Sequence, residues 1–345
     1  MKLNTEIIKD EEQLDEMISR PGAKVIEMFS RIDGDLIFLG VSGKTGPYLA
    51  RMAKRACDEA GISKRIIGVA RFETPGQKES IEKHGIESIA GNLLDRDFLT
   101  SLPTVKNVFF LAGMKFGAVD NLPLTWAVNS YLPAMVAGHY RDSRIVAFST
   151  GCVYPLVRTD SGGSKESDPP VAIGEYAQSC LGRERMFEYV SNKYKTPVTL
   201  IRLNYSVEMR YGVLVDIASK VMTGQPVDLA MGYFNVIWQG DMNDFVLRSL
   251  EFAQSPARIL NITGPETLSV RDVANEFGRL SGNKPVFINN EAETALLSNS
   301  SEALRLFGQP GVHPSTIIRW IYEWLKSGKR LLGKPTHFEV RDGKY

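Results

Sequence analysis

The sequence predicts an α/β protein with a Rossmann-type, doubly wound parallel sheet and a smaller C-terminal lobe. Three observations predict this fold: short, almost continuously apolar runs, longer amphipathic runs between them, and a glycine-rich turn after the first apolar run. Apolar runs without alternation are typical of strands that are buried on both faces of a parallel sheet. Their alternation with helices predicts right-handed βαβ units.

Six sheet strands are predicted in the first two hundred residues. They are Leu36–Gly40, Arg65–Ala70, Ile86–Ala90, Val108–Leu111, Arg144–Phe148 and Val198–Arg202. The runs between them have helical character, for example Tyr48–Ala60 and Leu124–Tyr140. Strand and helix therefore alternate through this part of the chain, as a doubly wound sheet requires.

Further helices are predicted on either side of this alternating part. Ahead of it, Glu11–Ser19 and Gly22–Arg31 predict a helical addition packed on the sheet. After Arg202 the pattern becomes irregular. Ser269 is placed to cap a late helix, with Asp272 at the third helical position. The run 314–332 predicts an amphipathic helix with tryptophans, followed by a polar tail, and 158–170 is the clearest loop.

Composition excludes several classes of protein. The 345 residues are 43% hydrophobic and 23% charged, which is ordinary for a soluble globular protein. A net charge of +1 gives no reason to expect nucleic acid or a membrane surface as partner. No run approaches the length of a membrane span, and the acidic start is unlike a secretory signal. Three widely spaced cysteines and four histidines form no metal or disulfide pattern, so a reducing, cytoplasmic location and no metal are expected.

A glycine-rich turn follows the first strand. Its pattern is G-x-x-G-x-x-G, and the residues predicted to contact a dinucleotide are Gly40, Gly43, Lys44, Thr45 and Gly46. Glycines permit a tight turn and close approach to a pyrophosphate, and the next helix offers free N–H groups. A Walker A loop is excluded because its first glycine would fall at Phe38, inside the strand. A tight turn that binds nothing is the alternative.

The end of the second strand bears on the type of dinucleotide. An acidic residue there would bind a ribose 2′-hydroxyl, but Ala70 occupies that position and Arg71 follows it. An arginine can pair with a 2′-phosphate, which favours NADP, with NAD as the alternative. The predicted organisation is a helical extension over 1–34, a dinucleotide-binding domain over 35–202, a mainly substrate-binding lobe over 203–332 and a tail over 333–345.

Six ordered segments resemble one known family. Residues 176–184, YAQSCLGRE, resemble its Y-x-x-S-K-x-x-x-E helix, and 148–154, FSTGCVY, resemble h-S-S/T-x-x-V-Y. The others are GNLLD at 91–95, FLAGMK at 110–115, AVNS at 127–130 and LNITG at 260–264. From about residue 36 to 282 the chain resembles the extended short-chain dehydrogenase/reductases, in their NAD(P)-dependent epimerase/dehydratase group.

The resemblance implies a role for each matching position. Tyr176 would be the catalytic acid/base, and Thr150 would hold the same substrate oxygen. Further cofactor-binding positions would be Asn92, Leu93, Leu111, Ala112, Gly113, Lys115 and Asn129, together with Tyr176. Substrate would contact Thr150, Tyr154, Asn204 and Arg210, although packing is the alternative for Tyr154. The helices that carry Asn129 and Tyr176 form a dimer interface in the family, so a homodimer is implied, with Arg183 on the surface or at that interface.

Cys180 stands where the family has a lysine that lowers the pKa of the tyrosine. At the ordinary pKa of about 10, only about one tyrosine in a thousand is ionised at neutral pH, which costs roughly 4 kcal/mol for base catalysis. Three outcomes are open: another cation substitutes, with Lys115 as the candidate; the enzyme favours proton donation; or the site is redox-inactive. Asn92 also departs from the family pattern, and the departures at 201–205 and 237–241, which lie beside the substrate in the family, count against a typical nucleotide-sugar substrate. The predicted function is therefore an enzyme acting on a sugar or sugar-like polyol, and the alternative is a non-catalytic NAD(P)-binding sensor.

Overall fold

The computed structural model describes residues 7–115, 120–334 and 336–344. Seven parallel strands form its central sheet: Leu36–Leu39 (β1), Ile66–Ala70 (β2), Glu87–Ala90 (β3), Asn107–Phe110 (β4), Arg144–Thr150 (β5), Val198–Leu203 (β6) and Arg258–Ile262 (β7). Their order is β7-β6-β5-β4-β1-β2-β3, so the direction of winding reverses between β1 and β4. This confirms the predicted doubly wound sheet, whose ligand crevice is expected at the carboxyl ends of these strands.

Helices cover both faces of the sheet and form most of the lobe. The α-helices are Glu11–Ile18, Ala23–Arg31, Gly46–Glu59, Gln77–Glu82, Arg96–Ser101, Leu122–Trp126, Leu132–His139, Gly174–Tyr194, Val213–Met222, Gln239–Arg248, Val270–Ser281, Ser301–Phe307 and Pro314–Lys326. Short 3₁₀ segments span Gly151–Val153 and Ser249–Phe252. Short strands pair in ribbons: Val157–Arg158, Ser206–Val207, Pro226–Asp228, Tyr233–Phe234, Ile237–Trp238, Leu268–Ser269, Val286–Ile288 and Thr294–Ala295.

Aromatic side chains pack against each face of the sheet. On one face Phe38 stacks on Phe109 with ring centroids 4.8 Å apart, and on the other Phe110 meets Phe187 edge to face at 5.4 Å. The strands β1 and β4 are buried on both faces, which is why residues 36–39 and 108–110 are apolar without alternation. In the described part of the chain, no helix combines the length and apolar character needed to cross a membrane.

The two N-terminal helices pack on different parts of the molecule. Ala23–Arg31 places Val25, Met28 and Phe29 against the sheet, as predicted. Glu11–Ile18 instead buries Leu14 and Ile18 in the core of the C-terminal lobe. The prediction that both helices pack on the sheet is therefore wrong for the first, because its apolar stripe meets the lobe rather than a strand.

The helix predicted over 124–140 is interrupted. A π-helical segment, Ala127–Tyr131, separates Leu122–Trp126 from Leu132–His139. Pro133 explains the interruption, since it has no N–H to donate to the carbonyl four residues earlier, which belongs to Asn129.

Two other predictions concern the lobe. The cap at Ser269 is confirmed by a 3.1 Å bond from Asp272 N to Ser269 Oγ, whereas the last helix ends at Lys326, before Gly328 turns left-handed with φ +65°.

Candidate active site

The glycine-rich turn has two glycines that the backbone requires. Gly40 has φ +90°, and a Cβ there would lie 2.6 Å from Ala112 N. A Cβ on Gly46 would lie 2.2 Å from Val41 O, so only glycine lets the helix start this close to the turn. Gly43 is exposed, and a Cβ there would meet nothing closer than Gly40 O at 3.5 Å. The turn is therefore tightly packed at Gly40 and Gly46 and open at Gly43, a geometry that suits the close approach of a pyrophosphate.

A cleft of about 190 Å³ lies at the carboxyl ends of β1, β4, β5 and β6. It brings together six of the predicted site residues: Lys44, Thr45, Lys115, Thr150, Tyr176 and Asn204. Its wall also includes Cys152, Tyr205 and Thr336, which sequence reasoning did not select, and Tyr211, for which substrate binding and packing were equal alternatives. The left-handed backbone of Tyr205, with φ +43°, is strain of a kind that concentrates at functional sites.

Tyr176 and Thr150 are hydrogen-bonded to each other in this cleft. Burial raises the pKa of Tyr176 well above its ordinary value, and the nearby thiols Cys180 and Cys152 raise it further. The charge of Arg183 and the Thr150 hydrogen bond act in the opposite direction on that pKa. Tyr176 is therefore a neutral phenol at physiological pH, able to donate a proton.

Cys180 lies directly beside this phenol. Its side chain is fully buried and hydrogen-bonded to Tyr176, and burial raises the pKa of the Cys180 thiol. A neutral thiol supplies no charge to the tyrosine. The family's lysine thus has no electrostatic replacement at position 180 itself.

Arg183 is buried, which contradicts the prediction of a surface or interface residue. Only 5% of the residue is exposed, and its Nη2 donates to Asn129 Oδ1 at 2.7 Å. Its Nη1 donates to the Phe148 carbonyl at 2.8 Å. The physical reason is the packing of Gly174–Tyr194 against β5 and the π-helical segment, which covers the helix face that carries Arg183.

The two lysines of the cleft have other neighbours. Lys115 Nζ lies 3.5 Å from the Thr336 carbonyl, in the polar tail. Lys44 Nζ lies 3.8 Å from the centroid of the Tyr211 ring. Burial lowers the pKa of Lys44 to about 8; Glu208 opposes this shift, while Arg210 and Lys115 add to it.

Asn129 fastens the segment after β4 to Gly174–Tyr194, the helix that carries Tyr176 and is called the tyrosine helix below. Its Oδ1 accepts from Met114 N at 2.8 Å, and its Nδ2 donates to Met114 O at 2.9 Å and Ser179 Oγ at 3.0 Å. Leu111, Ala112 and Gly113 precede Met114 in this segment. Asn129 thus holds the backbone at Met114 against the helix Gly174–Tyr194.

Two predicted substrate residues are engaged elsewhere. Tyr154 does not line the cleft, and its hydroxyl donates to Asn261 Oδ1 at 2.9 Å, deep in the protein. Arg210 is ion-paired with Glu208, Glu11 and Asp15, each at 3.2 Å. Packing is therefore the better interpretation of Tyr154, and Arg210 joins the first helix to the lobe rather than presenting a vacant cation to a phosphate.

The remaining predicted cofactor residues lie along the edge beyond β2. Arg71 is exposed and pairs with Glu73 at 3.2 Å. Asn92 Oδ1 accepts from Leu94 N at 3.1 Å, and Leu93 is buried. In the described residues no group of three or more His, Cys, Asp or Glu side chains is arranged to hold a metal ion.

The fold and the glycine-rich turn define a doubly wound protein of the dinucleotide-binding class. The model of the NAD dependent epimerase/dehydratase family matches residues 36–225, more than half of the chain. The protein belongs to this family. A sequence search of curated proteins finds no match.

Solved structures of similar fold include several epimerases. Pal from Bacillus thuringiensis is 19% identical, with a TM-score of 0.70 over 86% of this chain and 100% of that chain. An epimerase from Methanothermobacter thermautotrophicus is 20% identical, with a TM-score of 0.70 over 90% and 97% of the two chains. UDP-glucuronic acid 4-epimerase from Bacillus cereus, solved with UDP-glucuronic acid and NAD, is 15% identical, with a TM-score of 0.68 over 85% and 99%.

Proposed function

We propose that this protein is an NAD(P)-dependent enzyme of the epimerase/dehydratase or oxidoreductase type that acts on a sugar or sugar-like polyol, with Tyr176 as its acid/base. The observation that carries the proposal is the hydrogen-bonded pair of Tyr176 and Thr150 in a cleft that begins at the glycine-rich turn. The turn fits a dinucleotide, since Gly40 and Gly46 leave no room for a Cβ and Gly43 opens outward. The nicotinamide ring supplies hydride exchange.

The chain's own groups define the proton chemistry. Tyr176 holds a proton on its phenol, and Thr150 fixes the direction of that oxygen. Because the raised pKa keeps Tyr176 protonated, the form that can donate to a developing alkoxide is the populated one, and the phenolate needed for abstraction from a hydroxyl is rare. We therefore infer that the site favours the step in which a carbonyl is reduced and the tyrosine acts as an acid.

Two kinds of observation bear on the substrate class. UDP-sugars are bound by structural neighbours such as the Bacillus cereus enzyme, which supports a carbohydrate. The carboxylates around Arg210 and the tail residue Thr336 at the cleft both count against a full nucleotide-sugar. A compact sugar or polyol is the substrate we propose.

The enzyme is tested with a panel of sugars and sugar acids, after mass spectrometry identifies any co-purified nucleotide. Nicotinamide absorbance reports turnover. Tyr176→Phe is expected to lower the rate by about 10²–10⁴-fold, the usual contribution of an acid/base group, and Thr150→Ala also by orders of magnitude. Tyr322→Phe, on the helix Pro314–Lys326 and outside the cleft, is the control.

The alternative is a non-catalytic module that senses cofactor state. It would replace the enzyme proposal if Tyr176→Phe changed neither turnover nor the response to ligands. The buried hydrogen bond between Tyr176 and Thr150 favours the enzyme, because a sensor needs neither group.

We propose NADP as the preferred cofactor. Arg71 is exposed, and exposed ion pairs such as that with Glu73 are weak, so a 2′-phosphate can replace the carboxylate. Calorimetry should show NADPH binding about 10–100-fold more tightly than NADH, with the preference lost in Arg71→Ala. Arg65→Ala, an exposed arginine that precedes β2, is the control. Equal affinities of the native protein would contradict the assignment.

We also propose a homodimer. Exposed apolar side chains lie on the two helical elements that the family pairs across its interface: Leu122, Leu124, Trp126, Tyr131, Tyr189 and Tyr194. Light scattering at micromolar concentration distinguishes a dimer from a monomer. A monomer there would contradict this proposal without affecting the catalytic one.

A further inference from the structure

Arg183 differs from the other buried arginines in its partners. Arg202, Arg210 and Arg248 are each ion-paired with a carboxylate within 3.2 Å. Arg183 is equally buried, but its hydrogen bonds go to neutral oxygens: the Asn129 side chain, the Asn129 carbonyl and the Phe148 carbonyl. Within the described ranges, no carboxylate is ion-paired with it. A buried cation of this kind is costly to keep, and such groups cluster at functional sites.

Helix geometry directs this cation toward the catalytic tyrosine. Cys180 and Arg183 lie four and seven residues after Tyr176, so the three side chains share one face of Gly174–Tyr194. Side chains on a helix lean toward its N-terminus, which turns the guanidinium back toward Cys180 and Tyr176.

The neighbouring segments are shaped to receive the guanidinium. A Cβ on Gly113 would lie 2.8 Å from Arg183 Nη2, so a larger residue at 113 would displace the arginine. The Asn129 carbonyl, for which Pro133 has no N–H, accepts from Arg183 Nε at 3.4 Å. The cation therefore lies against the segment 110–115, which borders the nicotinamide ribose in the family that the sequence resembles.

We propose that Arg183 is the positioning residue that supplies, from the next turn of the helix, the positive charge missing at Cys180. The inference rests on the proposed function in treating Tyr176 as the acid/base. The guanidinium takes no part in the proton transfer itself. It stabilises the phenolate that remains after Tyr176 donates its proton.

The electrostatics of the site agree with this placement. Arg183 lowers the pKa of both Tyr176 and Cys180, against the effect of burial, while the Cys152 thiol raises both pKa values. Lys44 instead interacts with Glu208, Arg210 and Lys115. Arg183 is thus a candidate for the substitute cation beside Lys115.

The test measures the ionisation of the phenol directly and needs no substrate. 3,5-Difluorotyrosine, whose phenol is more acidic than that of tyrosine, is incorporated at position 176 of the full chain, and its fluorine resonances are followed against pH. Arg183→Gln keeps a donor for the Phe148 carbonyl but removes the charge. It is expected to raise the midpoint by about 1–3 pH units, the usual effect of losing a nearby opposite charge. Arg183→Lys should raise it less, and Arg185→Gln, two residues along the same helix, should leave it unchanged.

An unchanged midpoint in folded Arg183→Gln overturns the proposal. Gly113→Ala provides a second measurement in case that variant does not fold, because a Cβ at position 113 displaces the guanidinium without removing it. It should raise the midpoint if Arg183 acts through its charge, and an unmoved midpoint overturns the proposal. A midpoint shift in a protein that turns over no sugar would support this inference and reject the proposed function.

Discussion

Two cavities in the described part of the chain differ in size, and the larger of the two is not the candidate site. A cavity of about 260 Å³ lies between the N-terminal helices and the lobe, compared with about 190 Å³ for the cleft at Tyr176. In the larger cavity, Asp241 accepts from Val312 N at 2.9 Å and Asp244 accepts from Arg248 at 3.0 Å. Both carboxylates therefore serve as structural hydrogen-bond acceptors.

The surroundings of the cleft are different, because the buried guanidinium of Arg183 has neutral oxygens as hydrogen-bond partners. Tyr176, which lines the cleft, is beside two thiols. We therefore choose the candidate site by these ionisable groups rather than by cavity volume. Three predictions test this difference between the cavities.

The largest effect on the free energy of unfolding is expected at the buried ion pair of Glu184 and Arg202, behind the cleft. Glu184 is fully buried, binds Arg202 through two hydrogen bonds and accepts from Ser149 Oγ at 2.6 Å. Glu184→Ala would leave a buried, unpaired arginine and should lower the free energy of unfolding by about 3–5 kcal/mol in urea titrations. The control Glu276→Ala, in an exposed pair with Arg279, should cost about 0–1 kcal/mol. Equal losses would show that this pair does not hold the tyrosine helix.

An intermediate effect is expected in the glycine-rich turn, where stability and binding should separate. Gly46→Ala forces a Cβ against Val41 O and should cost about 1–3 kcal/mol or more of unfolding free energy. Gly43→Ala meets only an ordinary contact at 3.5 Å, so its stability should stay close to native while NADPH affinity falls. Thermal unfolding and calorimetry measure the two quantities. Normal cofactor binding by Gly43→Ala would mean that no pyrophosphate lies on this turn.

The smallest effect is expected in the larger cavity, and it depends on pH. Burial raises the pKa of Asp241 to about 6, above its value of about 3.9 in an unfolded chain. The folded state therefore binds more protons than the unfolded state between about pH 4 and 6, so this group lowers stability as pH rises through that range. Asp241→Asn should gain about 1–2 kcal/mol at pH 7 and nothing below about pH 4.

Asp142→Asn, whose side chain is 93% exposed, is the control for that measurement. NADPH affinity should be unchanged in both variants. A loss of affinity in Asp241→Asn would break the contrast between the two cavities, because it would couple the larger one to the cleft.

The sequence by itself determined the sheet and the glycine-rich turn. Residues 36–39 and 108–110 are apolar throughout because both of their faces are covered, so composition alone reveals them. Gly40 is favoured by its own φ of +90°, and Gly46 is required by the Val41 carbonyl five residues earlier in the chain. Constraints of this short range are visible in any sequence. The assignments of Tyr176 and Thr150 as catalytic groups remain predictions.

Only the tertiary structure decided which charged residues surround the tyrosine. Arg183 lies on a helix that is covered by β5 and the π-helical segment, and helical spacing cannot reveal that a polar position is covered. Thr336 reaches the cleft from the tail, and Arg210 is ion-paired with a helix about two hundred residues earlier in the chain. Burial and charge depend on neighbours that are distant in sequence, so these partners become identifiable only once the chain is folded.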